Sequence, residues 1–168
     1  LYTDGSQRGT SCKMGGVLVD GDIAQFFHSP ISSDECQRWE ERDHQINVIE
    51  LQAVLTALQT WTEKLENRKA ICFVDNKAAL TQLIKMSAPA HDLMQVVRQC
   101  HELVSAIGCE VWYEFVPSSQ NVADSPSRFE GSDDALSSVT TTNTQKPHNE
   151  MEEILGSRVE DVRRGKNF

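Results

Sequence analysis

The sequence predicts an α/β fold, a mixed sheet with helices on its faces, and three observations lead there. First, residues 15–20, GGVLVD, and 22–28, DIAQFFH, are apolar segments joined at Asp20-Gly21-Asp22, a strong hairpin signal. With LYTD at the start they make three adjacent strands. Second, the period changes at Glu50: Leu51, Val54, Leu55, Leu58, Trp61 and Leu65 fall within an arc of about 120° at ~100° per residue, an amphipathic helix. Glu50 lies at the edge of that arc, in the expected first turn. Third, strands and helices then alternate, which after an opening meander means a mixed sheet covered by helices.

The remaining elements follow in order. Residues 30–45 are mostly polar and charged and read as a connection with a short turn of its own, Ile31 and Trp39 being its large apolar residues. A buried strand is expected over 70–75, ending in Asp75, and a short helix from Asn76 to about Met86 with Leu80, Leu83 and Ile84 on one face. The break SAPA offers Ser87 as N-cap and Pro89 near the first turn of the next helix. That helix carries Leu93, Val96, Val97, Cys100, Leu103, Val104 and Ile107 and stops at Gly108, a suitable residue just past a helix end. CEVWYEFV alternates as a strand, and NVADSPSR forms a last short segment.

Residues 1–129 therefore read as one domain. Residues 130–168, rich in Ser, Thr, Asn and Asp, read as a largely disordered acidic tail. A short helix near 150–163 would carry Met151, Ile154, Leu155, Val159 and Val162 on a weak apolar face. The chain opens at Leu1 on what looks like the end of a strand, so an upstream neighbour in a longer polypeptide is expected.

Composition excludes several classes of function. No run of about 18 apolar residues is available to span a bilayer, and no secretory leader is visible, so the expectation is a soluble intracellular protein, with cytoplasm and nucleus both open. Five cysteines, an odd number with no C-x-x-C pair, argue against a disulfide framework and against a zinc site. Residues 1–128 hold 11 basic and 17 acidic side chains and residues 129–168 hold 5 and 8, so both parts are acidic, net −6 and −3. Such a body binds nucleic acid weakly unless some of its acids hold metal, because phosphate contacts need Lys and Arg.

Four acids sit at the boundaries of ordered elements: Asp4 closing the first strand, Glu50 opening the first helix, Asp75 ending the fourth strand, and Asp124 just beyond the fifth. Each alone has a plainer explanation. DGS is commonly a turn, a first-turn glutamate suits the helix dipole, and an Asp before a helix is commonly a cap. Together they outweigh those explanations. If strands 1, 4 and 5 are neighbours, their ends bring the acids into one place. Clustered carboxylates raise one another's pKa unless a cation neutralises them, and oxygen ligands with open positions suit Mg²⁺ or Mn²⁺. Two such ions roughly 3.5–4 Å apart clamp an in-line phosphoryl displacement.

In this order YTDGS, INVIELQAVLTAL, FVDNKAAL and VPSSQNVADSPSR resemble the ribonuclease H domain that follows reverse transcriptase in retroelements. The last stretch is similar to the closing motif of long-terminal-repeat and DIRS-type retrotransposons, and the likeness covers residues 1 to about 129. It implies a ribonuclease H-like five-stranded mixed sheet, with strands 1–3 antiparallel and strands 4 and 5 parallel to strand 1. It also implies an endoribonuclease that cuts the RNA strand of RNA/DNA hybrids, leaving 5′-phosphate and 3′-hydroxyl ends, in one polypeptide with an upstream reverse transcriptase domain.

By the same resemblance Asp4 bridges two Mg²⁺ or Mn²⁺ ions, Asp124 serves the ion that activates water, and Glu50 and Asp75 serve the ion at the leaving 3′ oxygen. Ser6 and Asn76, each beside a ligand, are candidates for 2′-hydroxyl contacts and equally candidates for plain caps. Two departures stand out. Many members carry a loop histidine before the final Asp, whereas residues 102–123 contain none, and His101 reads as an ordinary helix-surface residue. No Lys/Arg cluster lies between Asp75 and Asp124 to form a basic protrusion, which fits reliance on a polymerase partner. Two alternatives stay open: another polynucleotidyl transferase or exonuclease on the same fold, and a catalytically decayed scaffold or interaction domain.

Overall fold

The computed structural model describes residues 1–21, 23–128 and 140–143. Strands β1 (Tyr2–Arg8), β2 (Ser11–Asp20) and β3 (Ile23–Pro30) form the expected meander. A one-turn α1 (Ser33–Cys36) follows in the connection, then α2 (Ile46–Thr60) and a further turn, α3 (Thr62–Leu65). After them come β4 (Lys69–Val74), α4 (Lys77–Lys85), α5 (His91–Ala106), β5 (Glu110–Phe115) and α6 (Asp124–Ser127).

The sheet order is β5-β4-β1-β2-β3-β6, with β4 parallel to β1 and to β5, and β1, β2 and β3 antiparallel. The five expected strands are thus present in the expected directions. The sixth, β6 (Thr140–Asn143), pairs antiparallel with β3 from Ile23↔Asn143 to Phe26↔Thr140. It comes from the stretch read as disordered tail: its threonines favour an extended chain, but the run lacks apolar alternation, and the open edge of β3 supplies the pairing. The short helix expected near 150–163 lies outside the described residues.

Alternation along the strands sorts the sheet into two faces. Cys12, Met14, Leu18, Phe27, Cys72, Val74 and Tyr113 belong to one core with α2, α4 and α5. Tyr2, Val17, Ala24 and Phe26 form a second with Val116, Val122 and Ala123, and Tyr2 stacks on Phe73 with ring centres 4.6 Å apart. On this second face β4 is less buried than the sequence implies. Ile71 and its β5 neighbour Trp112 are 50% and 67% exposed.

The central helix departs from the amphipathic expectation. Val48, Ile49, Leu51, Ala53, Val54, Ala57 and Leu58 are all buried, because α2 lies between the sheet and α5 and is covered on most sides. It also begins at Ile46, which moves Glu50 out of the first turn and into the second. A favourable helix dipole is therefore not what keeps that acid there, since the dipole's effect fades within one turn.

Helix α4 starts as expected, with Asn76 Oδ1 accepting from the N–H groups of Ala78 and Ala79. Ile84, expected inside, is 59% exposed. Helix α5 begins at His91 behind Ala90, so Ser87 is not its cap. Its first turn is held by Asp92, whose carboxylate accepts two bonds from Arg42 Nη2 at 2.7 and 2.8 Å and one from the Glu40 N–H at 3.1 Å. Gly108 ends the helix at φ +63° as expected.

Asp92 straps the 37–45 connection to α5 and so sets where α2 can begin. Replacing it by Ala leaves the half-buried Arg42 with only Gln45 at 3.1 Å and Glu40 at 4.0 Å. Asp92→Ala is expected to cost about 3 kcal/mol, the low end for breaking a buried pair because Arg42 keeps some solvent contact. The check is chemical denaturation, and a loss below about 1 kcal/mol would show that the strap is an ordinary surface pair.

Candidate metal and active site

The site forms where β1, α2 and the end of β4 meet. Asp4 is the third residue of β1, Glu50 the fifth of α2, and Asp75 follows β4 directly. One carboxylate oxygen from each lies within 4.8 Å of the others. Asp4 and Glu50 are buried, and Asp75 is half-buried past the strand end, so it occupies the lip of the cluster and not the interior of a strand.

Gly5 makes the approach possible. A Cβ there would stand 2.7 Å from Ile49 Cγ2 and 3.0 Å from the Glu50 nitrogen, closer than real contacts allow. The Gly5 N–H donates to the Glu50 carboxylate. Gly15, opposite Asp4 in the β1–β2 register, plays the matching part on the second face, where an added Cβ would lie 2.5 Å from the Ser127 nitrogen. DGS and GG, readable as turn and strand, are in fact the points where a helix presses on the sheet.

Ser127, which sequence reasoning did not single out, is fully buried and donates its hydroxyl to Asp4 Oδ2. Asn121 is buried too. Its Nδ2 donates to the Thr3 carbonyl at 2.9 Å and its Oδ1 accepts from the Ala123 N–H at 3.1 Å, so it pins the segment before α6 to β1. A sequence signal for both existed in the NVADSPSR stretch, though the partner that gives each its purpose lies over 100 residues away.

The fourth predicted acid stands apart. Asp124 opens α6 and turns its Oδ1 to Arg128 Nε at 2.6 Å, outside the three-carboxylate group. It is still near enough for its charge to act on Asp4. The candidate substrate contacts are already in use: Asn76 caps α4, and the Ser6 hydroxyl donates to the Ser127 carbonyl at 2.6 Å. His101 is not a plain surface residue. It is partly buried, with Nε2 2.8 Å from the Leu83 carbonyl and its ring edge-on to Tyr113.

Burial, opposed by the Ser127 hydroxyl and reinforced by the charges of Asp75 and Asp124, pushes Asp4 up to about 7. Glu50 is pushed well above the usual carboxylate range, first by burial and then by Asp4 and Asp75, against the Gly5 N–H. Its Oε2 is buried with no hydrogen-bond partner. A buried carboxylate oxygen without a donor, beside two more carboxylates, is a poor resting place for negative charge and a good one for a hard cation. The donor set is all oxygen, which fits Mg²⁺ or Mn²⁺ and not the thiolate and imidazole sets favoured by softer metals.

Sheet order and helix placement together are those of the ribonuclease H fold. The chain is similar to the crystal structure of RNase H1 from the halophilic archaeon Halobacterium salinarum NRC-1, with a TM-score of 0.60 and 24% identity over 74% of this chain and 90% of that one. It is also similar to the N-terminal RNase H domain of a Mycobacterium tuberculosis protein, solved as a fusion with maltose-binding protein, with a TM-score of 0.51 and 19% identity over 75% and 87% of the two chains. No protein-family model and no curated protein matches the sequence. At these identities the likeness establishes the fold. Among the described residues no helix is long and apolar enough to cross a membrane.

The raised carboxyls make stability depend on pH in a definite direction. Asp4, at about 7 in the folded protein against 3.8 ordinarily, keeps a proton that the unfolded chain has released. Its stabilising contribution is complete below about pH 4 and gone above about pH 7. Glu50 acts in the same sense, while Asp20 and Asp92, held low, act only under more acid conditions. Metal-free protein should therefore lose melting temperature as pH rises from about 5 to 8. Asp4→Asn should flatten that profile, and Mg²⁺ should restore stability most at the alkaline end, where the site is ionised. A flat wild-type profile in chelator would mean that the carboxylates do not crowd as described.

Proposed function

We propose that this chain is a ribonuclease H, an endonuclease hydrolysing the RNA strand of RNA/DNA hybrids to 5′-phosphate and 3′-hydroxyl ends, with two Mg²⁺ or Mn²⁺ ions at its site. The observation that carries the reading is the carboxylate group Asp4, Glu50 and Asp75, with the partnerless buried Glu50 oxygen, on a ribonuclease H fold. We place it in a retroelement polyprotein, downstream of a reverse transcriptase domain, on the strength of the VPSSQNVADSPSR stretch and its order after the other motifs.

In this reading Asp4, Glu50, Asp75 and Asp124 would hold the ions. Bound divalent cations would neutralise the cluster, acidify an attacking water and offset charge on the leaving oxygen. The protein's own share is placement. The Gly5 N–H and the Ser127 hydroxyl hold Glu50 and Asp4 in fixed orientations, and Asn121 fixes the segment that carries Asp124. Such fixed geometry spares the reaction the cost of assembling ligands in each turnover. Ser6 and Asn76 would meet the RNA 2′-hydroxyl through what their present bonds leave over, the Ser6 oxygen as acceptor and the Asn76 Nδ2 as donor.

The test is incubation of the chain with an end-labelled RNA/DNA hybrid in Mg²⁺ and in Mn²⁺, beside single-stranded RNA and duplex DNA. Cleavage of the hybrid's RNA strand alone is expected, with Asp75→Asn slower by at least 10²-fold, a loss of about 2.7 kcal/mol of transition-state stabilisation. Cutting of duplex DNA instead would point to another nuclease on this fold. No cutting of any substrate, with or without an attached polymerase domain, would refute the reading.

A further inference from the structure

Along β1 the side chains of Asp4, Ser6 and Arg8 alternate onto one face of the sheet, the face on which α6 lies. In the β1–β2 register Ser6 is opposite Lys13 and Arg8 opposite Ser11. Ser6, Arg8, Ser11 and Lys13 close, together with Arg128 from the end of α6, around a cleft of about 210 Å³. Three cations of a net-acidic body thus meet within a few residues of Asp4. Two hydroxyls stand among them.

Among the described residues that line this cleft there is no carboxylate. Arg128 engages Asp124 through Nε at 2.6 Å and lines the cleft as well. Two guanidinium groups, an ammonium and the Ser11 hydroxyl form a donor set for phosphate oxygens. Resting on the nuclease reading above, we infer that the Ser6–Arg8–Ser11–Lys13–Arg128 cleft grips a backbone phosphate of the bound hybrid away from the cut position.

The placement explains how a body of net charge −6 holds a polyanion beside a group of carboxylates. At a strand rise of ~3.4 Å per residue, Arg8 lies ~14 Å along β1 from Asp4. A phosphate held there belongs to a neighbouring nucleotide and not to the bond being broken. The contact would therefore strengthen binding and set register without reading base sequence.

The experiment measures binding separately from cleavage. Fluorescence anisotropy of a labelled RNA/DNA hybrid is followed from about 50 to 200 mM salt in the Asp75→Asn background, where the hybrid stays whole. Arg8→Ala/Lys13→Ala is compared with Lys64→Ala/Lys69→Ala at the far end of the sheet and with Arg8→Lys/Lys13→Arg. Each lost phosphate contact removes about 0.9 from the slope of log K against log salt. The first pair should make the slope shallower by about 1–2 and weaken binding about tenfold at low salt, while the distant pair and the charge-preserving pair leave the slope unchanged. Equal slopes for the first and the distant pair would overturn the assignment. If the wild type cuts hybrid yet the slopes are equal, only the cleft is wrong; if it neither cuts nor binds hybrid, the nuclease reading falls with it.

Discussion

The close approach of α2 to β1 at Gly5 is the constraint on which the rest of the structure depends. With no side chain at that position, Ile49 packs against the strand and Glu50 arrives beside Asp4. The apolar burial of α2 drives the contact, since its residues are covered on most sides by the sheet and α5. Two carboxylates are thereby forced together in a poorly solvated place, an arrangement that costs free energy unless a proton or a cation is shared. The core holds the acids where water would otherwise keep them apart.

Several features away from the cluster maintain that geometry. Asp92 and Arg42 tie the connection before α2 to the first turn of α5, which fixes the height at which α2 enters. Asn121 joins the segment before α6 to β1, and Gly15 lets α6 settle so that Ser127 reaches Asp4. Burial at the site is matched by ordinary hydrogen bonds around it, as expected where a protein holds its reactive groups in place before a ligand arrives.

The charge distribution gains a physical explanation from the fold. Averaged along the chain, acidity argues against a nucleic-acid partner. Folded, the molecule concentrates part of that acidity in a metal-suited pocket and gathers Arg8, Lys13 and Arg128 next to it. Net charge governs long-range encounter, while contact is decided by which charges face the ligand.

The strand segments, the positions of α4 and α5, and the identity of the candidate acids were legible from the sequence because they depend on local periodicity and on boundaries a few residues wide, whereas the strand directions came from the resemblance. Asp4, Glu50 and Asp75 could be named since each interrupts an apolar pattern where an acid is unexpected. Other features depend on partners far apart in the chain and left no local trace. The pairing of β6 with β3, the Arg42–Asp92 strap and the cationic cleft are of this kind. Local sequence determined which residues could carry the chemistry; only the tertiary structure decided which of them meet, because that is set by close packing between segments that the sequence holds far apart.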